Sequence, residues 1–127
     1  PVRLSCEFET DSVIKSGVPI VLNVKLRMAK GWHVNSNSPG NEYAIPLSFA
    51  SYDEGVLVSA EWPEGELMVS AGEQVHVYGE SVVVPVTLTT TESFKGPIAL
   101  MVTWQACNAD TCLNPETHRV PCTIVVE

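Results

Sequence analysis

The chain has 127 residues, 45% of them hydrophobic and 17% charged, which is the balance of one globular domain with a real core rather than of a disordered segment. A formal net charge of −8 argues against nucleic acid or an anionic membrane surface as a partner, because both select for basic patches. No apolar run approaches the roughly 20 residues of a membrane-crossing helix, and an opening at Pro1 inside a strand-like pattern reads as one module trimmed from a longer, exported protein.

The dominant period is two. Val2, Leu4, Cys6 and Phe8 alternate with polar neighbours and predict a first strand. Ile20, Leu22, Val24, Leu26 and Met28 alternate with Val21, Asn23, Lys25 and Arg27, the pattern of a half-buried strand. Shorter strands are expected at residues 32–35, 45–50 and 56–62. Val82, Val84, Val86 and Leu88 predict another, and Pro85 within it implies an edge position or a bulge. Ile98, Leu100, Val102 and Trp104 follow, and Val120, Cys122, Ile124 and Val126 close the chain. Glycine-centred turn signals at Gly17, Gly31, Gly40, Gly55, Gly65, Gly72 and Gly96 separate these runs. No window holds a period of 3.6 over three turns. The expected fold is therefore all-β: an immunoglobulin-like antiparallel β-sandwich, one domain over residues 1–127. Trp32, Trp62 and Trp104 read as core aromatics, and the acidic surface as a solubility feature.

Alternation sorts the four cysteines into two pairs. Cys6 and Cys122 fall on the apolar faces of the terminal strands. They are either two buried thiols or a bridge worth nearly 5 kcal/mol in the chain-entropy model, and their role is structural in both cases. Cys107 and Cys112 flank Asn108, Ala109, Asp110 and Thr111, a turn-friendly loop that follows a strand. Folding back brings two such Cα atoms within disulfide reach. Closing so small a ring contributes only about 2 kcal/mol, so this bridge could open without unfolding its host. A static staple and a redox centre both fit that spacing. A zinc site built from Cys107, Cys112 and His118 lacks the usual ligand spacing, so neither a metal nor another cofactor is expected. No nucleophile elbow or phosphate-binding glycine loop is present.

Three segments resemble a known family, the N-terminal periplasmic (alpha) domain of the thiol:disulfide interchange protein DsbD. They are KGWHVNSNSP at residues 30–39, followed by Ile45 and Pro46; VYGESVVVPVTL at 77–88; and VTWQACNADTCLNPET at 102–117, the most specific of the three. The resemblance implies an immunoglobulin-like domain that relays reducing equivalents in the periplasm, as a protein-disulfide reductase component serving electron transport and cytochrome c biogenesis. Its implied partners are a thioredoxin-like domain of the same or another protein and oxidised thiol proteins such as disulfide isomerases, and it implies fusion to a membrane domain in the full-length protein. Carried across, Cys112 forms the mixed disulfide and Cys107 resolves it. His76, Val77, Tyr78 and Gly79 match the shielding cap loop, and His33, Asn35 and Gln105 are candidate surroundings of the pair. The chain departs from the pattern in its shorter inter-cysteine loop, in Val77 where a large aromatic is usual, in His33 and Asn35 where some relatives carry tyrosines, and in Asn114 in place of a proline. The alternative is a non-redox exported β-sandwich that binds another protein and carries structural disulfides. Neighbouring charges oppose one another: Asp110 and Glu116 raise a thiol pKa, and His118 and Arg119 lower it.

Overall fold

The computed structural model describes residues 2–8, 13–14, 16–70, 72–91 and 93–126, with side chains described for all of these except 4–8, 13–14, 70 and 123–126. Twelve strands and no helix are present among them: β1 Val2–Phe8, β2 Val13–Ile14, β3 Ile20–Met28, β4 His33–Asn35, β5 Ser48–Ser51, β6 Val56–Ala60, β7 Glu66–Ser70, β8 Glu73–Gly79, β9 Ser81–Thr90, β10 Gly96–Trp104, β11 Ala106–Cys107 and β12 Glu116–Val126. They form three four-stranded sheets in the orders β1-β3-β9-β6, β2-β12-β10-β5 and β11-β4-β8-β7. Every pairing is antiparallel except the short β2–β12 contact.

The first two sheets enclose the core. Leu22, Val24, Leu26, Val84, Val86 and Leu88 come from the first sheet, and Ile98, Leu100, Val102, Trp104 and Cys122 from the second, in one buried cluster. These are the alternating positions of each strand, because successive side chains on a pleated strand face opposite sides. Each fully buried aliphatic side chain contributes about 1.5–3 kcal/mol, so this cluster supplies the main driving force for folding. Trp104 lies within it, while Trp32 and Trp62 pack partly buried against it. Trp62 also stacks on Phe49 with ring centroids 5.0 Å apart. Cys122 is fully buried, and its Sγ approaches the Val120 carbonyl at 3.7 Å. The side chain of Cys6, the other cysteine read as structural, lies outside the described residues.

The expectation for Pro85 needs correction. β9 is an interior strand, paired with β3 on one side and β6 on the other, and the β3 register runs unbroken through Asn23↔Pro85. The pairing with β6 ends at Ala60↔Val86, and beyond it Glu61 N–H donates to the Pro85 carbonyl at 2.9 Å. A residue's N and C=O point to the same side of an antiparallel strand. The Pro85 nitrogen therefore faces Glu61 at the run-out of β6, beyond the last ladder pair, where Glu61 is exposed. The strand is interior, and the proline sits where one neighbour stops.

The third sheet is made of continuations of body strands. β3 passes through residues 29–32 into β4, β8 runs through Glu80 into β9, and β10 passes through Gln105 into β11. Glu80 takes φ 58°, the left-handed region, and its carbonyl accepts the Met28 N–H at 2.7 Å. Three strands rooted in the core thus project together at one end of the molecule. The β7–β8 hairpin was not anticipated from the sequence. Leu67 and Val69 point outward on β7, so its apolar residues do not mark a buried face.

Candidate functional site

The projecting sheet carries the cysteine pair. β11 pairs with β4 in the register Ala106↔Val34 and Cys107↔His33, and an isolated bridge sets Cys107 opposite Cys112. The two sulfurs are joined, with Cα atoms 4.0 Å apart. The two cysteines differ sharply in access: Cys107 is 1% exposed, whereas Cys112 is on the surface.

The loop between them is held by its own hydrogen bonds. Asn108 N–H donates to the Thr111 carbonyl at 2.8 Å, and Asn108 Oδ1 accepts the N–H groups of Asp110 (2.9 Å) and Thr111 (2.8 Å). Just beyond it, Leu113 N–H donates to the Ala106 carbonyl at 2.8 Å.

Behind Cys112 lies a partly buried amide cluster. Asn35, 2% exposed, donates from Nδ2 to the Ile45 carbonyl at 3.0 Å and to Gln105 Oε1 at 3.2 Å. Gln105 Oε1 also accepts the Ile45 N–H at 3.3 Å, and Gln105 Nε2 donates to the Leu113 carbonyl at 3.3 Å. One glutamine thus ties together β4, the 41–47 segment and the exit of the cysteine loop. Asn35, Gln105 and Cys112 share a cleft of about 210 Å³ with Asn41, Tyr43, Ala44, Glu73 and Val75. Tyr43, 83% exposed, stands at its lip. An Asx turn, in which Asn41 Oδ1 accepts the Tyr43 N–H at 2.9 Å, shapes this wall, and Asn41 Nδ2 reaches Glu73 Oε2 at 3.5 Å.

His33 is buried beside this cluster, directly across from Cys107 in register. Burial lowers its pKa below the ordinary 6.5, which favours the neutral ring and removes it as a positive neighbour for a thiolate. Of the basic side chains that follow the pair in sequence, His118 lies 3.3 Å from Glu116 and against Trp104, while Arg119 sits over the Tyr52 ring at 4.7 Å. Among the described residues no group of three or more His, Cys, Asp or Glu is placed to hold a metal ion.

Residues 76–79 form the end of β8 and not a loop. Val77 pairs with Asn35, and Gly79 with His33. Val77 and Tyr78 are buried, and the Tyr78 hydroxyl lies 2.7 Å from the Pro63 carbonyl and 3.1 Å from Asn37 Oδ1. His76 is exposed, with its backbone joined to Pro39 and Ser36. The part of this strand that lines the Cys112 cleft is its beginning, Glu73 and Val75. The sequence reading did not single out Asn41, Tyr43, Ala44, Glu73, Val75 or Asn108. Only Asn41 and Asn108 carried a local signal, as asparagines able to cap their own turns.

The family described as thiol:disulfide interchange protein DsbD, N-terminal, matches residues 7–123. The chain belongs to this family. The fold is similar to the N-terminal periplasmic domain of ScsB from Proteus mirabilis, with a TM-score of 0.70 at 17% identity, covering 98% of this chain and 47% of that one. It is also similar to the Neisseria meningitidis DsbD N-terminal domain in the reduced form, with a TM-score of 0.55 at 17% identity, covering 87% of this chain and 78% of that one. The chain thus spans about half the length of the Proteus structure. No curated protein matches the sequence. The immunoglobulin-like sandwich is the fold of this family, the N-terminal part of the thiol:disulfide interchange protein DsbD.

Proposed function

We propose that this domain relays reducing equivalents in the periplasm through Cys107 and Cys112, taking them from a thioredoxin-like domain and passing them to oxidised thiol proteins such as disulfide isomerases. The observation that carries this reading is the unequal access of two bonded sulfurs, one buried and one at the lip of a cleft. In the delivering direction, the Cys112 thiolate attacks a partner disulfide. The partner's S–S bond breaks, a Cys112–partner bond forms, and the partner's second sulfur leaves as a thiolate that takes up a proton. The Cys107 thiolate then attacks Cys112 Sγ. The Cys107–Cys112 bond forms, and the partner departs as a dithiol carrying two electrons. Recharging reverses these steps, with the donor's thiolate attacking Cys112. Buried Cys107 is shielded from partners and suited to the resolving role.

The similarity to the N-terminal periplasmic domain of ScsB supports the periplasmic location. Shielding of the pair, assigned from the resemblance to residues 76–79, belongs in this reading to the cleft wall of Asn41, Tyr43, Ala44, Glu73 and Val75, with Val77 packed behind Asn35.

Graded glutathione or dithiothreitol buffers test the proposal. The Cys107–Cys112 bridge is expected to open and close reversibly with the far-UV signal unchanged, because its ring contributes only about 2 kcal/mol to a fold whose stability is roughly 5–15 kcal/mol. Cys107→Ala is expected to trap a partner through Cys112, whereas Cys112→Ala traps none. A bridge that opens only as the domain unfolds would instead make the chain a non-redox binding module.

A further inference from the structure

We propose that Asn108 is a positioning residue for the exchange reaction, holding the Cys107–Cys112 loop closed whether or not the sulfurs are joined. This inference rests on the exchange reading above. In a hairpin with Ala109 and Asp110 at its tip, residues 108 and 111 would exchange two backbone hydrogen bonds. Only one is made here, from Asn108 N–H to the Thr111 carbonyl at 2.8 Å. The Thr111 N–H turns to Asn108 Oδ1 at 2.8 Å, and the same oxygen accepts the Asp110 N–H at 2.9 Å. The side chain therefore supplies the acceptor that closes the turn. On the outer side of the pair, Leu113 N–H donates to the Ala106 carbonyl at 2.8 Å, and Gln105 Nε2 to the Leu113 carbonyl at 3.3 Å.

None of these bonds uses a sulfur atom, so none is lost when the disulfide opens. The two thiols stay opposite one another in the reduced domain. A pair held at close quarters has a high effective concentration, which favours the oxidised form and speeds the attack of Cys107 on a mixed disulfide at Cys112. Asn108 thereby makes the dithiol a stronger reductant and shortens the life of the mixed disulfide. Cutting its two side-chain bonds transfers the part of the ring-closure cost that they cover to the S–S bond.

The test equilibrates the domain with reduced and oxidised glutathione. Two glutathione thiols reduce the bridge to a dithiol and leave as one glutathione disulfide, a balanced two-electron exchange. The oxidised fraction is read by thiol alkylation and mass for wild type, Asn108→Ala and Asn108→Asp. The alanine variant is expected to lower the equilibrium constant for disulfide formation by between about threefold and tenfold: the shift is the ordering cost that the two bonds cover in the dithiol, and their net worth sets its ceiling. The aspartate variant, which keeps an acceptor in place, is expected to stay within about twofold of wild type, since the loss reports two hydrogen bonds rather than side-chain bulk. An unchanged constant in Asn108→Ala overturns the proposal, as does an equal fall in both variants. A wild-type bridge that reduces only with unfolding is a separate result, seen without any variant, and it removes the exchange reading and this inference together.

Discussion

Replacing Gln105 with alanine removes the hub behind Cys112, and the structure sets the size of the effect. Gln105 Oε1 accepts from Asn35 Nδ2 and from the Ile45 N–H, and its Nε2 donates to the Leu113 carbonyl. Asn35 is 2% exposed, so one of its amide hydrogens loses its partner away from water. A buried donor left unmatched costs about 1–3 kcal/mol. The three bonds measure 3.2–3.3 Å, towards the long end of the usual range. The low end of the cost therefore applies, and the sum is about 2–3 kcal/mol. With a urea slope of about 2 kcal/mol per molar, the unfolding midpoint of Gln105→Ala moves down by about 1 M. Asn35→Ala removes one of the same bonds, so the double variant is expected to lose about 1 kcal/mol less than the sum of the singles. Urea titrations followed by tryptophan fluorescence measure both quantities. A single-variant loss below about 0.5 kcal/mol, or strict additivity with Asn35→Ala, refutes the claim that these amides act as one cluster.

Gly65→Ala places a Cβ 2.9 Å from Ser36 Cβ and 3.2 Å from the Val77 carbonyl, and overpacking of this kind costs about 1–3 kcal/mol. In the same urea assay Ser36→Gly is expected to recover part of that loss, and Ser36→Ala, which keeps the Cβ, none of it. His33 gives a pH signature. Its folded pKa lies below the ordinary 6.5, so beneath that pH the unfolded chain takes up a proton that the folded one refuses. The associated stability is complete above 6.5 and is lost as pH falls towards the depressed folded value. The stability difference between wild type and His33→Gln is therefore expected to change between about pH 7.5 and pH 5, and parallel profiles would show that burial of this ring does not couple to folding.

The strands of the two core sheets, apart from the two-residue β2, were legible because their signal is local. Leu22, Val24 and Leu26 alternate with Val21, Asn23 and Lys25, and that period places them on the buried face whatever the partner strand. The third sheet was read less well. β7 presents Leu67 and Val69 to solvent, which inverts the usual cue, and residues 76–79, matched to a cap loop by a Tyr-Gly motif and not by a period, form the end of strand β8. Pro85 was misplaced for a related reason: a proline excludes one hydrogen bond, and only the length of the neighbouring strand decides whether that bond was ever needed.

The amino-acid order by itself settled the all-β class, the core-facing position of Cys122, the separate loop pair Cys107 and Cys112, and the family. Each of these is written in neighbours along the chain. Which of the loop cysteines meets solvent, and that Asn41, Tyr43 and Glu73 share its cleft with Gln105, came only from the folded arrangement. Those residues are brought together by strand register and by a crossing segment, and long-range pairing of this kind is fixed by the collective burial of the core and leaves no trace in local spacing.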